Sequence, residues 1–534
     1  LTIHFLFGET FQLKMAMRNR SLFRLAVGTL TLGSLLTLNA CRDTQSGLNP
    51  QNEASTANAR LSADMMFYAL TDNNQLIKLN TQNPAANMGM LTITGVQNNE
   101  RLVGIDFRPA TGQLYGVSNG SRVYMINTVS GAATALGTGA FTPAISGDVV
   151  GLDFNPTVDR IRLITNRGQN LRLHPETGAI AAVDGNLNGV PNVAASGAAY
   201  TNNRSGATTT VLYDIDPITD KLYRQDPPNN GTLVEVGSLG IDIAGTGSFD
   251  IAPNGDAVAT LISGNVQGLY QINLSTGRAE WLGNLPNAMS IVGMAIPTEP
   301  VAYSADGMNN LLIFNPMSPA PVTKPITGMQ SGETLYGLDF RPANGQLYAI
   351  GSTSRLYTIN LGTGAATMVG SGPFSPTLSG TDIGFDFNPT VDRIRVVTNS
   401  GQDLRLNPND GTVAAVDGQL NPGSPNVTSV AYTNNFAGAT TTTLYDIDTR
   451  TMAMLFIQNP PNNGTLSPVG MLGFNAEGGN GFDIGGTSNM GYALLRSNGS
   501  TNIYSINLGS GAANAVATLP GNPTIRGFAL GLGF

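Results

Sequence analysis

A chain of 534 residues, 41% of them hydrophobic, is long enough for two or three domains with a sizeable core. Only 12% of residues are charged, the formal net charge is −8, and the repeated part carries no Lys/Arg block, which argues against nucleic acid as a partner. The single cysteine, Cys41, excludes an intrachain disulfide and any multi-thiolate metal centre.

Residues 1–14 precede the first methionine, Met15, and do not have the layout of a signal peptide, so translation is expected to start at Met15 or Met17. Arg18, Arg20 and Arg24 then lead into the 14-residue apolar run Leu25 to Leu38, too short to span a membrane and laid out as a secretory signal. The ending Leu38-Asn39-Ala40-Cys41 resembles the lipobox of bacterial lipoproteins. That resemblance implies that Cys41 is lipidated on its thiol and becomes the mature N-terminus, residues 1–41 being upstream extension plus lipoprotein signal peptide. The alternative is an ordinary signal peptide cut nearby, giving a secreted or periplasmic protein. Residues 42–63 are polar, rich in Asn, Ser, Thr and Ala, and read as a flexible tether spanning on the order of 25 Å.

From residue 64 onward the chain is one text written twice, offset by 233 residues. Gly104 to Tyr115 (GIDFRPATGQLY) recurs as Gly337 to Tyr348 with ten of twelve positions identical, and Asp153 to Arg162 recurs unchanged as Asp386 to Arg395. Within each copy, short apolar strands joined by Gly-rich turns repeat every 44 to 52 residues. Val123, Tyr124, Met125 and Ile126 are all apolar, so both faces of the sheets are expected to be covered. Strand-opening positions fall at Gly104, Gly151, Gly197, Gly247, Gly293, Gly337, Gly384, Ser429, Asn480 and Gly527, which makes ten units of four strands.

That pattern predicts an all-β fold of the β-propeller class. Two closures fit the count. Either Val292 to Pro297 and Gly527 to Gly533 each fold back to complete the first blade of their own half, giving two tandem five-bladed propellers, or the chain makes a single ten-bladed ring. Natural propellers have roughly four to eight blades, which favours two fives. The expected domains are residues 64–298 and 299–534, joined so closely at Thr298-Glu299-Pro300 that the two must touch or nearly touch.

Several strings carry a resemblance to a known family. They are Tyr68-Ala69-Leu70, GxDFRP, DFNPxxDRIR, the Thr-Asn-x-Gly-Gln-x-Leu-Arg-Leu runs from Thr165 and Thr398, TTTxLYDID and PPNNGTL. Together they resemble the bacterial domain of unknown function 4394 family, in two tandem copies covering residues 64 to 534. The resemblance implies that each half can close alone, and it implies no activity. At the start of the second half Tyr303-Ser304-Ala305-Asp306 replaces Tyr68-Ala69-Leu70-Thr71, so a less regular first blade is expected there.

Asp106 and Asp153, with Asp339 and Asp386 as counterparts, stand two residues after an opening Gly on adjacent inner strands and can point into a central channel. A pair of carboxylates there suits a hard cation such as Ca²⁺, which takes six to eight oxygen ligands. The equivalent positions on the other strands read Ala199, Phe249 and Ala295, too few oxygens, so aspartates that accept backbone N–H groups of the following turn are the expected reading. Asp184 to Gly189 matches half a Ca²⁺ loop but has Ala195 where the closing Glu belongs, and reads as a turn.

Gly116-Val117-Ser118-Asn119-Gly120 matches G-x-S-x-G without the following helix that a nucleophile elbow needs. Of two histidines, His4 lies upstream of the signal and His174 is replaced by Asn407 in the other copy, so a duplicated Ser/His mechanism is excluded, and His174 is expected at the surface. Asp159 to Arg162 and its twin are expected to form surface ion pairs between blades, and Pro227 to Gly231 and its twin are exposed turns that can meet a partner. The function expected from all this is an exported, lipid-anchored, non-catalytic binding module for a protein or glycan. The alternatives are a metal-dependent propeller hydrolase or lactonase, and a structural envelope or adhesion protein.

Overall fold

The computed structural model describes residues 61, 64–286 and 289–534; Cys41 and residues 42–60 of the tether lie outside the described residues. The described residues form forty β-strands and two three-residue 3₁₀ turns, Pro228–Asn230 and Pro461–Asn463, and no α-helix is among them. The strands build ten four-stranded antiparallel sheets.

Eight of these sheets are four strands in chain order, and two are not. Strand Met66–Thr71 is flanked by Gln75–Asn80 and by Ile291–Ala295, which pairs with it through Tyr68 opposite Ala295. Strand Ala302–Asp306 is flanked in the same way by Asn310–Phe314 and by Ile525–Leu530, with Tyr303 opposite Ala529. A ten-bladed ring needs Ile525–Leu530 beside Met66–Thr71, so the pairings favour two groups of five. The sheet at the start of the second half has the same four-strand order as its twin, and each has one register shift against its seam strand, at Ser304/Ala305 and at Leu70/Thr71.

Sheets stacked face to face bury both sides of a strand, and Leu102–Phe107 is buried at all six positions. The innermost strands approach so closely that a side chain is often excluded: a Cβ on Gly151 would lie 2.9 Å from Ala198, and one on Gly481 2.3 Å from Phe528. These contacts run strand to strand around each half, and Gly293 of the seam strand Ile291–Ala295 packs on Ile105 of Leu102–Phe107. In the second half, residues of all five inner strands surround a central space of only about 10 Å³, roughly one water molecule.

The halves form one compact unit and share apolar core: Ala110 of the first packs with Tyr303, Phe340 and Leu347 of the second. Tyr303 Oη donates to the Ala110 carbonyl at 2.8 Å, and Gly533 N donates to the Thr111 carbonyl at 2.8 Å.

Candidate functional site

The inner strands bring together three aspartates per half. Asp106, Asp153 and Asp250 each offer a carboxylate oxygen within 4.8 Å of the others, and so do Asp339, Asp386 and Asp483; all six residues are buried. Four of them were anticipated from sequence. Asp250 and Asp483 were missed because the frame was set on Gly247 and Asn480, each one residue early. Gly247 is the unpaired residue of a β-bulge, so Ser248 takes the opening position and Asp250, not Phe249, stands where Asp106 stands in its own strand. A signal existed: Asp106, Asp153 and Asp250 each lie three residues before a proline.

Backbone accounting explains what the cluster does. At this level five inner-strand N–H groups need acceptors, and three carboxylates serve them all in the first half. Asp106 accepts from Phe107 N and Phe154 N, both at 2.7 Å; Asp153 accepts from Tyr200 N at 3.2 Å; Asp250 accepts from Ile251 N at 2.6 Å and Ile296 N at 2.7 Å. Each aspartate therefore stitches its strand to the next inner strand, and where the preceding strand carries Ala199 or Ala295 the aspartate also serves its own neighbour. The sixth oxygen, Asp153 Oδ2, is buried with no hydrogen-bond partner.

The second half repeats the arrangement with one difference. Phe387, Tyr432, Ile484 and Leu530 donate to Asp339, Asp386 and Asp483, while Asp339 Oδ1 has no partner. The aspartates thus do accept backbone N–H groups, but not those of the following turn as expected: the donors are the next residue of the same strand or a residue of the neighbouring inner strand. The set does not fit Ca²⁺: most of its oxygens are engaged by N–H donors, and among the described residues no other carboxylate joins the three in either cluster.

Burial, and then the neighbouring carboxylate charges, push Asp106, Asp153, Asp339 and Asp386 well above the usual carboxylate range. Burial raises Asp250 and Asp483 to about 7, and the two backbone N–H bonds that each accepts act in the opposite direction. A further buried pair went unnoticed in the repeated TTTxLYDID string. Asp214 and Asp446 have both carboxylate oxygens without a partner, and burial pushes Asp214 up to about 8.

The remaining sequence candidates are spent structurally. Asp184 accepts from Arg162 and Arg172 at 2.6 to 2.8 Å, so the half Ca²⁺ loop is an ion-paired turn. Ser118 donates to Glu100 at 2.7 Å. His174 is half-buried, and burial with the nearby Arg160 lowers its pKa. Pro227 to Asn230 is largely exposed as expected, but Asn229 is tied down by Arg162 at 2.8 Å.

The Asp159 to Arg162 segment departs from expectation. Its ion pairs do join neighbouring sheets, but they are buried: Arg108, 0% exposed, pairs with Asp159 and, at 2.6 Å, with Glu176, and donates to the Gly345 carbonyl of the other half at 3.1 Å. The twin Arg341 pairs with Asp392 at the edge, its side chain 13% and that of Asp392 35% exposed. Between the halves lies a cavity of about 330 Å³, walled by Met66, Tyr68 and Phe107 from the first, Phe436, Ser488 and Phe534 from the second, and residues 297–301 that join them.

None of the curated proteins compared with the chain matches it. Among solved structures, the extracellular domain of the hybrid two-component system BT4673 from B. thetaiotaomicron is 11% identical, over 86% of this chain and 72% of that one, with a TM-score of 0.26. PorZ, a bacterial surface component of the type-IX secretion system of Porphyromonas gingivalis, is 14% identical over 83% of this chain and 63% of that one, also with a TM-score of 0.26. The model of the domain of unknown function 4394 matches residues 61–295 and again residues 310–529, the two halves set out above, and the chain belongs to that family.

Proposed function

We propose that this chain is an extracytoplasmic, lipid-tethered, non-catalytic binding module for a protein or glycan, seated at the cavity between its two halves. The observation that carries the reading is that cavity: about 330 Å³, within the size range of ligand sites, and walled by both copies so that neither makes it alone. Its walls are mainly Met, Tyr, Phe, Pro and Thr with a single charged residue, Glu299, which suits a neutral ligand with an apolar face. The aspartate clusters do not favour the hydrolase reading, because a catalyst needs carboxylates that substrate can reach and these are at most 1% exposed.

The test is to screen neutral oligosaccharides and peptides by calorimetry, then repeat with Ala437→Trp, which fills the cavity. A ligand that binds the parent and loses at least tenfold affinity in the folded variant supports the seat; unchanged affinity removes it. Fractionating cells that carry the parent or Cys41→Ser checks the tether. The parent is expected with membranes and the variant in the soluble fraction, and co-fractionation of both with membranes counts against lipid anchoring at Cys41.

A further inference from the structure

We infer that each half is locked by one proton held among its three buried aspartates, which makes the clasp of inner strands sensitive to alkaline pH. The geometry carries this. In the first half six carboxylate oxygens meet five N–H donors, and the idle oxygen, Asp153 Oδ2, is buried within a cluster whose other members offer oxygens within 4.8 Å. Three ionised carboxylates at that spacing repel one another strongly in a buried setting. A proton on Asp153 Oδ2 supplies the sixth donor and removes one of the three charges.

No cation offsets the cluster from the surrounding strands. Across the sheet from Asp153 stands Arg162, whose guanidinium donates to Tyr200, Asn170, Asp184 and Asn229. Across from Asp106 stands Tyr115, which accepts from Arg108, and across from Asp250 stands Val258. The two remaining inner strands contribute Ala199 and Ala295 at this level. In the second half the corresponding groups are Arg395, Tyr348 and Tyr492; there Asp339 and Asp386 each accept one N–H, the idle oxygen is Asp339 Oδ1, and the proton is shared between these two.

The direction of the pH effect follows. The folded protein keeps protons that the unfolded chain, with ordinary carboxylates near 4, releases. Stability is therefore full below about pH 4 as far as these groups are concerned, and falls as pH rises through the raised folded values, which for Asp250 and Asp483 reach about 7.

The experiment is urea unfolding of the protein at pH 5, 6, 7 and 8, in buffers with and without Ca²⁺ or chelator. The folding constant is expected to fall about tenfold per pH unit for each proton retained. Asp153→Asn and Asp386→Asn replace the titrating O–H with an amide that still accepts from Tyr200 or Tyr432 and donates from its nitrogen. Each is expected to remove one proton's worth of slope, and the double variant both. A double variant with the parent's slope overturns the inference, as does a stability that rises with pH only when Ca²⁺ is present, which reports a cation on ionised carboxylates instead. Should the variants not fold, infrared spectra of the parent with ¹³C-labelled aspartate decide: a protonated carboxyl band persisting at pH 6 and fading at higher pH supports the inference, and its absence at pH 6 overturns it.

Discussion

Asp250→Ala is expected to destabilise the protein by about 2–6 kcal/mol at pH 5, because it strands two buried backbone N–H groups at about 1–3 kcal/mol each. Those groups belong to Ile251 and Ile296, and Ile296 directly follows the strand that completes the first sheet. Losing the acceptor therefore loosens the seam as well as the axis. Asp106→Ala strands Phe107 and Phe154 and is expected to cost as much, whereas Asp153→Ala strands only Tyr200 and should cost about half, roughly 1–3 kcal/mol. Measuring at pH 5 keeps relief of carboxylate repulsion from masking the loss. Urea denaturation ranks the three, with amide exchange at Ile296 as the local readout. Equal costs at all three positions would sink the accounting of one acceptor per N–H.

Arg108→Ala carries the second large effect, about 3–5 kcal/mol, since it leaves the buried Asp159 and the partly buried Glu176 as unpaired charges. It also removes a hydrogen bond to Gly345 across the two halves. Arg341→Ala, the same residue in the other copy, breaks a pair whose aspartate is about a third exposed, and solvent screening limits its cost to about 1 kcal/mol or less. Comparing the two variants by urea denaturation isolates burial from sequence, because GxDFRP is common to both sites. A similar cost for both variants would mean that the contact between halves adds nothing to the pair.

Much of the architecture was legible because it is periodic. Gly-rich turns and strands apolar on both faces announced the four-stranded units, and the duplication from Gly104 and Gly337 announced two halves. The seam strand near Val292 to Pro297 was also readable, as Ile291–Ala295, because the first blade lacked an inner strand of its own. The aspartate cluster was only partly readable. A bulge inserts one residue without changing composition, so counting from Gly247 put Phe249 where pairing puts Asp250.

The sequence by itself determined the sheets, their number, and the acceptors that the inner strands need, since backbone N–H groups and local turn chemistry are written residue by residue. Only the tertiary structure decided what identical strings become. Arg108 and Arg341 share their neighbours in sequence, yet one is sealed beneath Gly345 of the other half and one stands at an edge. The physical reason is that two copies docked in one chain are not related by a symmetry that exchanges their surfaces. Burial, and with it the strength of every charge pair, differs between twins that the sequence cannot tell apart.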